Sequence, residues 1–150
     1  MRAVVQRVSR AEVRVDGERA GSIGPGLCVL VGVTHSDTVA EAAKLAAKVW
    51  HLRVMDDENG VMNRSVADTT RQLLVVSQFT LYGDTSGGRR PSWLAAARPD
   101  QAEPLVQAVV DELSALGATV ATGRFRTEMQ VELVNDGPVT LVLEVDGPGG

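Results

Sequence analysis

Leu27-Cys28-Val29-Leu30-Val31-Gly32-Val33 is the stretch from which the fold is read. Only Gly32 interrupts its apolar character. A half-exposed strand would alternate with polar residues, so a short unbroken run of this kind is a strand covered on both faces. Thr38 then opens a different pattern. With Glu41 three residues later it forms a capping box, and Val39, Ala42, Ala46, Val49 and Trp50 recur at helical spacing as one apolar stripe. A doubly covered strand followed by an amphipathic helix places the chain among α/β proteins.

The flanks extend that reading. Upstream, Ala3 to Val8 is mostly apolar, and Glu12 to Asp16 alternates with Val13 and Val15 on one face. Asp16-Gly17 is a hairpin-type turn signal. Downstream, a short strand is expected over Leu52 to Met55 and a polar turn over Asp56 to Gly60. Leu73 to Val76 is strand-like and runs into Ser77-Gln78-Phe79-Thr80, and Gly83 to Pro91 is irregular. A second helix should start near Pro99-Asp100 and stop at Gly117, burying Leu105, Val109, Leu113 and Leu116. Pro104 would be tolerable only in its first turn. Strands over Ala118 to Ala121, Met129 to Val134 and Val139 to Val145 follow. Asn135-Asp136-Gly137-Pro138 is expected to turn the chain between the last two, and Asp146 to Gly150 to form a loose tail. Two helices and about seven strands, with no repeat or linker, predict one mixed α/β domain over residues 1–150.

Composition bounds the function. Hydrophobic residues make up 44% but aromatics only 3%, so the core must be Val, Leu and Ala. No apolar stretch approaches the roughly 20 residues that cross a bilayer, and the N-terminal segment alternates like a strand. Cys28 is the only cysteine. These features predict a cytoplasmic protein with no membrane partner. A net charge of −4 argues against broad binding to nucleic acid, so no DNA partner is expected. It allows a local grip on one RNA end, for which Arg89 and Arg90 are the candidates; solvated surface arginines are the alternative.

Familiar motifs fail. Gly21, Gly24 and Gly26 have the wrong spacing for a dinucleotide fingerprint, and the Gly83 to Arg90 loop lacks the ending of a P-loop. Asp56 to Gly60 would need a carboxylate at Met55 to make a calcium loop. His35 and His51 lack partners at ligand spacing, Cys28 reads as a buried inert thiol, and no G-x-S-x-G elbow occurs. Neither a metal, a cofactor nor a recognisable triad is expected.

Two polar clusters remain. Ser77, Gln78 and Thr80 end a strong strand, where side chains and N–H groups offer donors for a developing oxyanion. The bland alternative is a strand end that satisfies its own turn. Asn135-Asp136-Gly137-Pro138-Val139-Thr140 reads most simply as a hairpin turn, although a Gly-Pro bond can be cis and align two carbonyls as rigid acceptors.

Over nearly its full length the chain resembles the D-aminoacyl-tRNA deacylase family. The resemblance is carried by Ser77-Gln78-Phe79-Thr80-Leu81-Tyr82, Arg90-Pro91-Ser92, Met129-Gln130-Val131 and Asn135-Asp136-Gly137-Pro138-Val139-Thr140, with Met1 to Val8, Gly26 to Val33 and Met62 to Val66 in support. It implies a single domain of three layers, α/β/β, with mixed sheets and two main helices. It implies a homodimer acting on the 3′ end of aminoacyl-tRNA without a cofactor, hydrolysing the ester of D-aminoacyl-tRNA and of glycyl-tRNA. By the same resemblance, Ser77, Gln78, Phe79 and Thr80 line a catalytic wall facing Gly137 and Pro138 of the partner subunit, whose cis-linked carbonyls bind the substrate amino group and exclude L side chains. Arg7 is expected to brace that loop, and Met129 to help form the adenosine pocket.

The sequence also departs from the family pattern. Gly83 stands where Ala is usual, a minor change in a loop. Phe125-Arg126-Thr127-Glu128 replaces small residues, so that Arg126 and Glu128 either alter the adenosine pocket or point to solvent. Two other functions stay open on the residues alone: a non-catalytic RNA-end or protein-binding module, and a general small-ester hydrolase.

Overall fold

The computed structural model describes residues 1–147. Its frame is one mixed sheet in the order β2 (Glu18–Ile23), β1 (Arg2–Val15), β3 (Gly26–Gly32), β6 (Gln72–Ser77), β7 (Val120–Thr122), with β8 (Gln130–Glu144) also paired to β1. The β3–β6 and β6–β7 pairs are parallel and the rest antiparallel. A crossover from β3 to β6 carries α1 (Val39–His51), and one from β6 to β7 carries α2 (Pro99–Leu116). A small ribbon of β4 (Met55–Asp56) and β5 (Met62–Arg64) stands apart.

The apolar run from Leu27 to Val33 is covered on both its faces. Leu27, Val29, Val31 and Val33 join Leu73 and Val75 beneath the helices, while Cys28 joins Leu74 and Val76 in a second core. That second core is closed by Val8, Ala11 and Val13 of β1 and Ile23 of β2. The helices, the central strands and the folded-over half of β1 with β2 make the mixed α/β domain three layers deep. A methylene buried here is worth roughly 0.8 kcal/mol, so two dry cores compensate for the scarcity of aromatics.

Several expectations change. Asp16 falls in a turn, and the segments expected over 3–8 and 12–16 merge into the single strand Arg2–Val15, which β8 pairs from Arg2 to Arg14. Register shifts between Gln6 and Val8 and between Val8 and Arg10 move its apolar side chains from the first core to the second. Asn135 to Pro138 does not turn the chain: β8 continues through it, and Val8 pairs Asn135 while Gln6 pairs Thr140, so residues 136–139 bulge out opposite Arg7. In α1 the capping box forms as read, with the Glu41 carboxylate accepting from the Thr38 N–H and hydroxyl, both at 2.6 Å. Val39, however, is 69% exposed, since as the first helical residue it precedes the turn that meets the sheet; Leu45 takes its place in the core. In α2, Leu116 lies exposed at the last turn, and Pro104 is the sixth residue, in the second turn, on the outer face. The expected tail is only partly loose: Val145 donates to the Met1 carbonyl at 2.9 Å and Gly147 is buried, while 148–150 lie outside the described residues.

Candidate active site

The parallel strand β6 delivers its C-terminal end, Ser77, to a cleft of about 650 Å³. Ser77, Gln78 and Phe79 line it, joined by Met129 and by the Phe125-Arg126-Thr127-Glu128 segment. Arg126 and Glu128 both line this cleft and are also exposed to solvent.

Beyond Ser77 the chain tightens into a 3₁₀ turn, Phe79–Tyr82. The Gln78 N–H is bound to the Val31 carbonyl at 2.7 Å, and the first bond of the turn runs from the Leu81 N–H to the Gln78 carbonyl at 3.2 Å. Phe79 and Thr80 precede that bond, so their N–H groups are the ones a helical start leaves over. The Gln78 amide donates to the Thr80 hydroxyl. Thr80 itself is exposed and lies outside the cleft lining. Behind the turn, burial pushes the Tyr82 phenol up to about 12, so it stays neutral although the Arg2 guanidinium, 4.5 Å over its ring, pulls the other way.

Phe79 is held edge-on against Trp93, with ring centroids 5.5 Å apart. The same indole explains Gly83. A Cβ there would come within 2.6 Å of the Trp93 ring, so the change from Ala is tied to the cleft wall and is not a neutral loop difference. Trp93, Ala97 and Arg98, all on the cleft, were missed in the sequence; they lie in the irregular stretch and at the helix start, where no periodicity marks them.

Gly137 and Pro138 lie elsewhere on the protomer, in the bulge of β8, and neither lines the cleft. The peptide between them is cis. The bulge is fastened at both ends. Asn135 spans its neck, donating from Nδ2 to the Thr140 hydroxyl at 2.9 Å and accepting from the Val139 N–H at 3.2 Å. Arg7, at the register gap, donates from Nε to the Asp136 carbonyl at 3.0 Å and from Nη1 to the Val54 carbonyl at 2.8 Å, with the Asp56 carboxylate at 3.3 Å. Gly137 has φ +132°, and a Cβ there would meet Val139 at 2.8 Å and the Arg7 guanidinium at 3.0 Å. Only glycine fits that position. Asn135 was within the motif read from sequence, but Val54 and Asp56 had no sequence signal.

The other polar candidates lie outside this cleft and the bulge. Burial pushes the Cys28 thiol up to about 11, which leaves it protonated at neutral pH. Arg89 and Arg90 are exposed on the loop between Asp84 and Ser92, two residues that bridge at 2.8 Å.

Fold and cleft together define a mixed α/β domain with a concave candidate site at a strand end and the turn after it. Residues 4–144 match the family model described as D-Tyr-tRNA(Tyr) deacylase, and the chain belongs to that family. It is 57% identical to a D-aminoacyl-tRNA deacylase of Heliobacterium modesticaldum, over 100% of this chain and 99% of the relative. It is 61% identical to that of Streptomyces coelicolor, over 97% and 100%. Among solved structures, one described as a c-Myc DNA unwinding element binding protein superposes with a TM-score of 0.93 at 40% identity, covering 98% of this chain and 100% of that one. A probable eukaryotic D-amino acid tRNA deacylase shares the fold at a TM-score of 0.82 and 14% identity, over 96% and 98%.

Proposed function

We propose that the protein hydrolyses the ester joining a D-amino acid, or glycine, to the 3′ end of tRNA, at a site that two copies of the chain complete. The observation that carries this is the separation of its two motifs. The Gly137-Pro138 bulge is held rigidly by Arg7 and Asn135, yet stands outside the cleft of its own chain. It is therefore free to meet the Ser77–Thr80 wall of a second copy. Exposed Val131, Val134, Leu141 and Val142 on β8 supply apolar surface for such a homodimer.

In this reading the terminal adenosine lies in the cleft beside Met129. The Gly137 and Pro138 carbonyls of the other copy accept from the substrate α-amino group. Holding that group fixes the remaining bonds of Cα: a D side chain points into open space, an L side chain runs into the carbonyls, and glycine passes because it has none. The N–H groups of Phe79 and Thr80 donate to the oxygen that gains charge as water adds to the ester, with Ser77 and Gln78 completing the wall. The ester is already activated, so positioning and oxyanion stabilisation suffice, with the 2′-hydroxyl of the terminal ribose assisting. Thr80, whose hydroxyl accepts from Gln78, contributes its main-chain N–H and is not the nucleophile. The whole chain, 1–150, acts as one domain, in the cytoplasm where charged tRNA is used. A net charge of −4 and a concave cleft favour one RNA end over duplex DNA.

Purified protein in catalytic amounts should deacylate D-Tyr-tRNA far faster than L-Tyr-tRNA and sediment as a dimer. Equal rates would remove the chiral filter. Binding of both without turnover would instead support a non-catalytic RNA-end module.

A further inference from the structure

A second cavity of about 150 Å³ adjoins the cleft and shares Ser77, Phe125 and Met129 with it. Its other walls are more polar. Glu103 and Gln107 stand one turn apart on α2, and Thr122 and Arg124 enter from the end of β7 and the residues after it. The Gln107 amide donates to the Asp111 carboxylate at 2.9 Å, which fixes its orientation and leaves a second N–H unspent. Neither Glu103 nor Arg124 has an ion-pair partner among the described residues, and no step of the proposed hydrolysis uses either.

We propose that this cavity is a subsite for the base of the penultimate nucleotide, and that it selects cytosine; the assignment rests on the adenosine ester occupying the neighbouring cleft. The shared wall of Ser77, Phe125 and Met129 offers a chain whose last nucleotide lies in the cleft a direct path for its preceding one. The small volume suits one ring, and Phe125 offers an apolar face to it. The polar groups then read the base edge. Glu103 can only accept, and takes the amino group of cytosine; Gln107 and Arg124 donate to its ring nitrogen and carbonyl oxygen. Uracil would present a carbonyl oxygen to the Glu103 carboxylate, acceptor against acceptor. The tRNA terminus, which ends in cytidine-cytidine-adenosine, supplies the preferred base.

Calorimetry with the unesterified dinucleotides CpA and UpA reads the subsite apart from turnover. CpA should bind the wild-type protein about tenfold more tightly than UpA, within the range of one good base-edge pairing. Glu103→Ala, on the outer surface of α2, should bring the ratio close to one. Equal binding of CpA and UpA, or an unchanged ratio in Glu103→Ala, overturns the subsite. D-Tyr esters of the same dinucleotides form the second arm. A CpA preference in binding with no hydrolysis of any ester would uphold the subsite and defeat the deacylase reading. Hydrolysis without a base preference would do the reverse.

Discussion

Arg7→Ala removes a side chain that ties the β8 bulge to the rest of the fold, and its cost can be worked from its contacts. The guanidinium is only 13% exposed. Its bond to the Val54 carbonyl, at 2.8 Å and partly buried, belongs with charged hydrogen bonds worth about 1.5–3 kcal/mol. The bond to the Asp136 carbonyl and the ion pair with Asp56 are exposed and contribute under about 1 kcal/mol each. The expected loss is roughly 2–4 kcal/mol, which for a domain of this size lowers Tm by about 5–15 °C. Arg7→Lys keeps the charge but has one ammonium in place of a fork, and should recover no more than about half of that loss. Differential scanning calorimetry measures both. A merely structural arginine would leave the surviving folded protein with normal selectivity, so the second assay is the ratio of D-Tyr-tRNA to L-Tyr-tRNA hydrolysis at a temperature where the variant is folded. That ratio should fall at least about tenfold, equivalent to about 1.4 kcal/mol of lost discrimination. A Tm within about 1 °C of wild type, or an unchanged ratio, would refute the bracing role.

Gly137→Val places a branched side chain at φ +132°, against Val139 and the Arg7 guanidinium, and should reduce D-Tyr-tRNA hydrolysis by about 100-fold or more; rates near wild type would count against its place at the site. Thr80→Ala should retain activity within about tenfold, since the main-chain donors remain, and complete loss in single-turnover assays would restore a nucleophilic hydroxyl. Gly83→Ala pushes the Trp93 ring off the cleft wall, and should change KM for aminoacyl-tRNA several-fold more than kcat, with altered indole fluorescence as an independent sign. Acid should weaken the β4–β5 region. Asp57 is held below the usual carboxylate range by the N–H groups of Val61 and Asn59, and Asp68 by the N–H and hydroxyl of Ser65. Because these values are lowered in the folded state, their stabilisation is complete above the ordinary value near 4 and is lost as pH falls through the lower folded values. Tm should therefore drop below about pH 4, and Asp57→Asn with Asp68→Asn should flatten that slope.

What was legible in the sequence divides along a physical line. Local signals held wherever one element's own neighbours decide the outcome. The Thr38–Glu41 capping box, the stop at Gly117 and the doubly covered strand at Leu27 to Val33 each follow from a few residues whose chemistry is satisfied within the element. Smaller errors fell at helix ends, where Val39 and Leu116 lie outside the turns that meet the core, and the larger one came where a distant strand decides. Asn135-Asp136-Gly137-Pro138 has turn composition, and its local chemistry is indeed that of a turn. It becomes a bulge because β1 supplies a continuous partner on both sides of it, Gln6 to Thr140 and Val8 to Asn135, more than a hundred residues away in sequence. The same pairing sets Arg7 opposite the loop. The motif alone singled out the residues of the loop, but only the register explains why an arginine at position 7 stands where its fork reaches Asp136 and Val54 together. Trp93 shows the other limit. It lies in a loop with no period to read, and its role rests on a missing methyl group at Gly83, ten residues earlier, whose absence acquires meaning only when the indole is seen filling the space. The proposed site, drawn from a bulge, a strand end and a loop, is thus encoded in pairings between segments. Substitutions that shift the β1–β8 register should disturb selectivity as much as changes to the motif residues themselves.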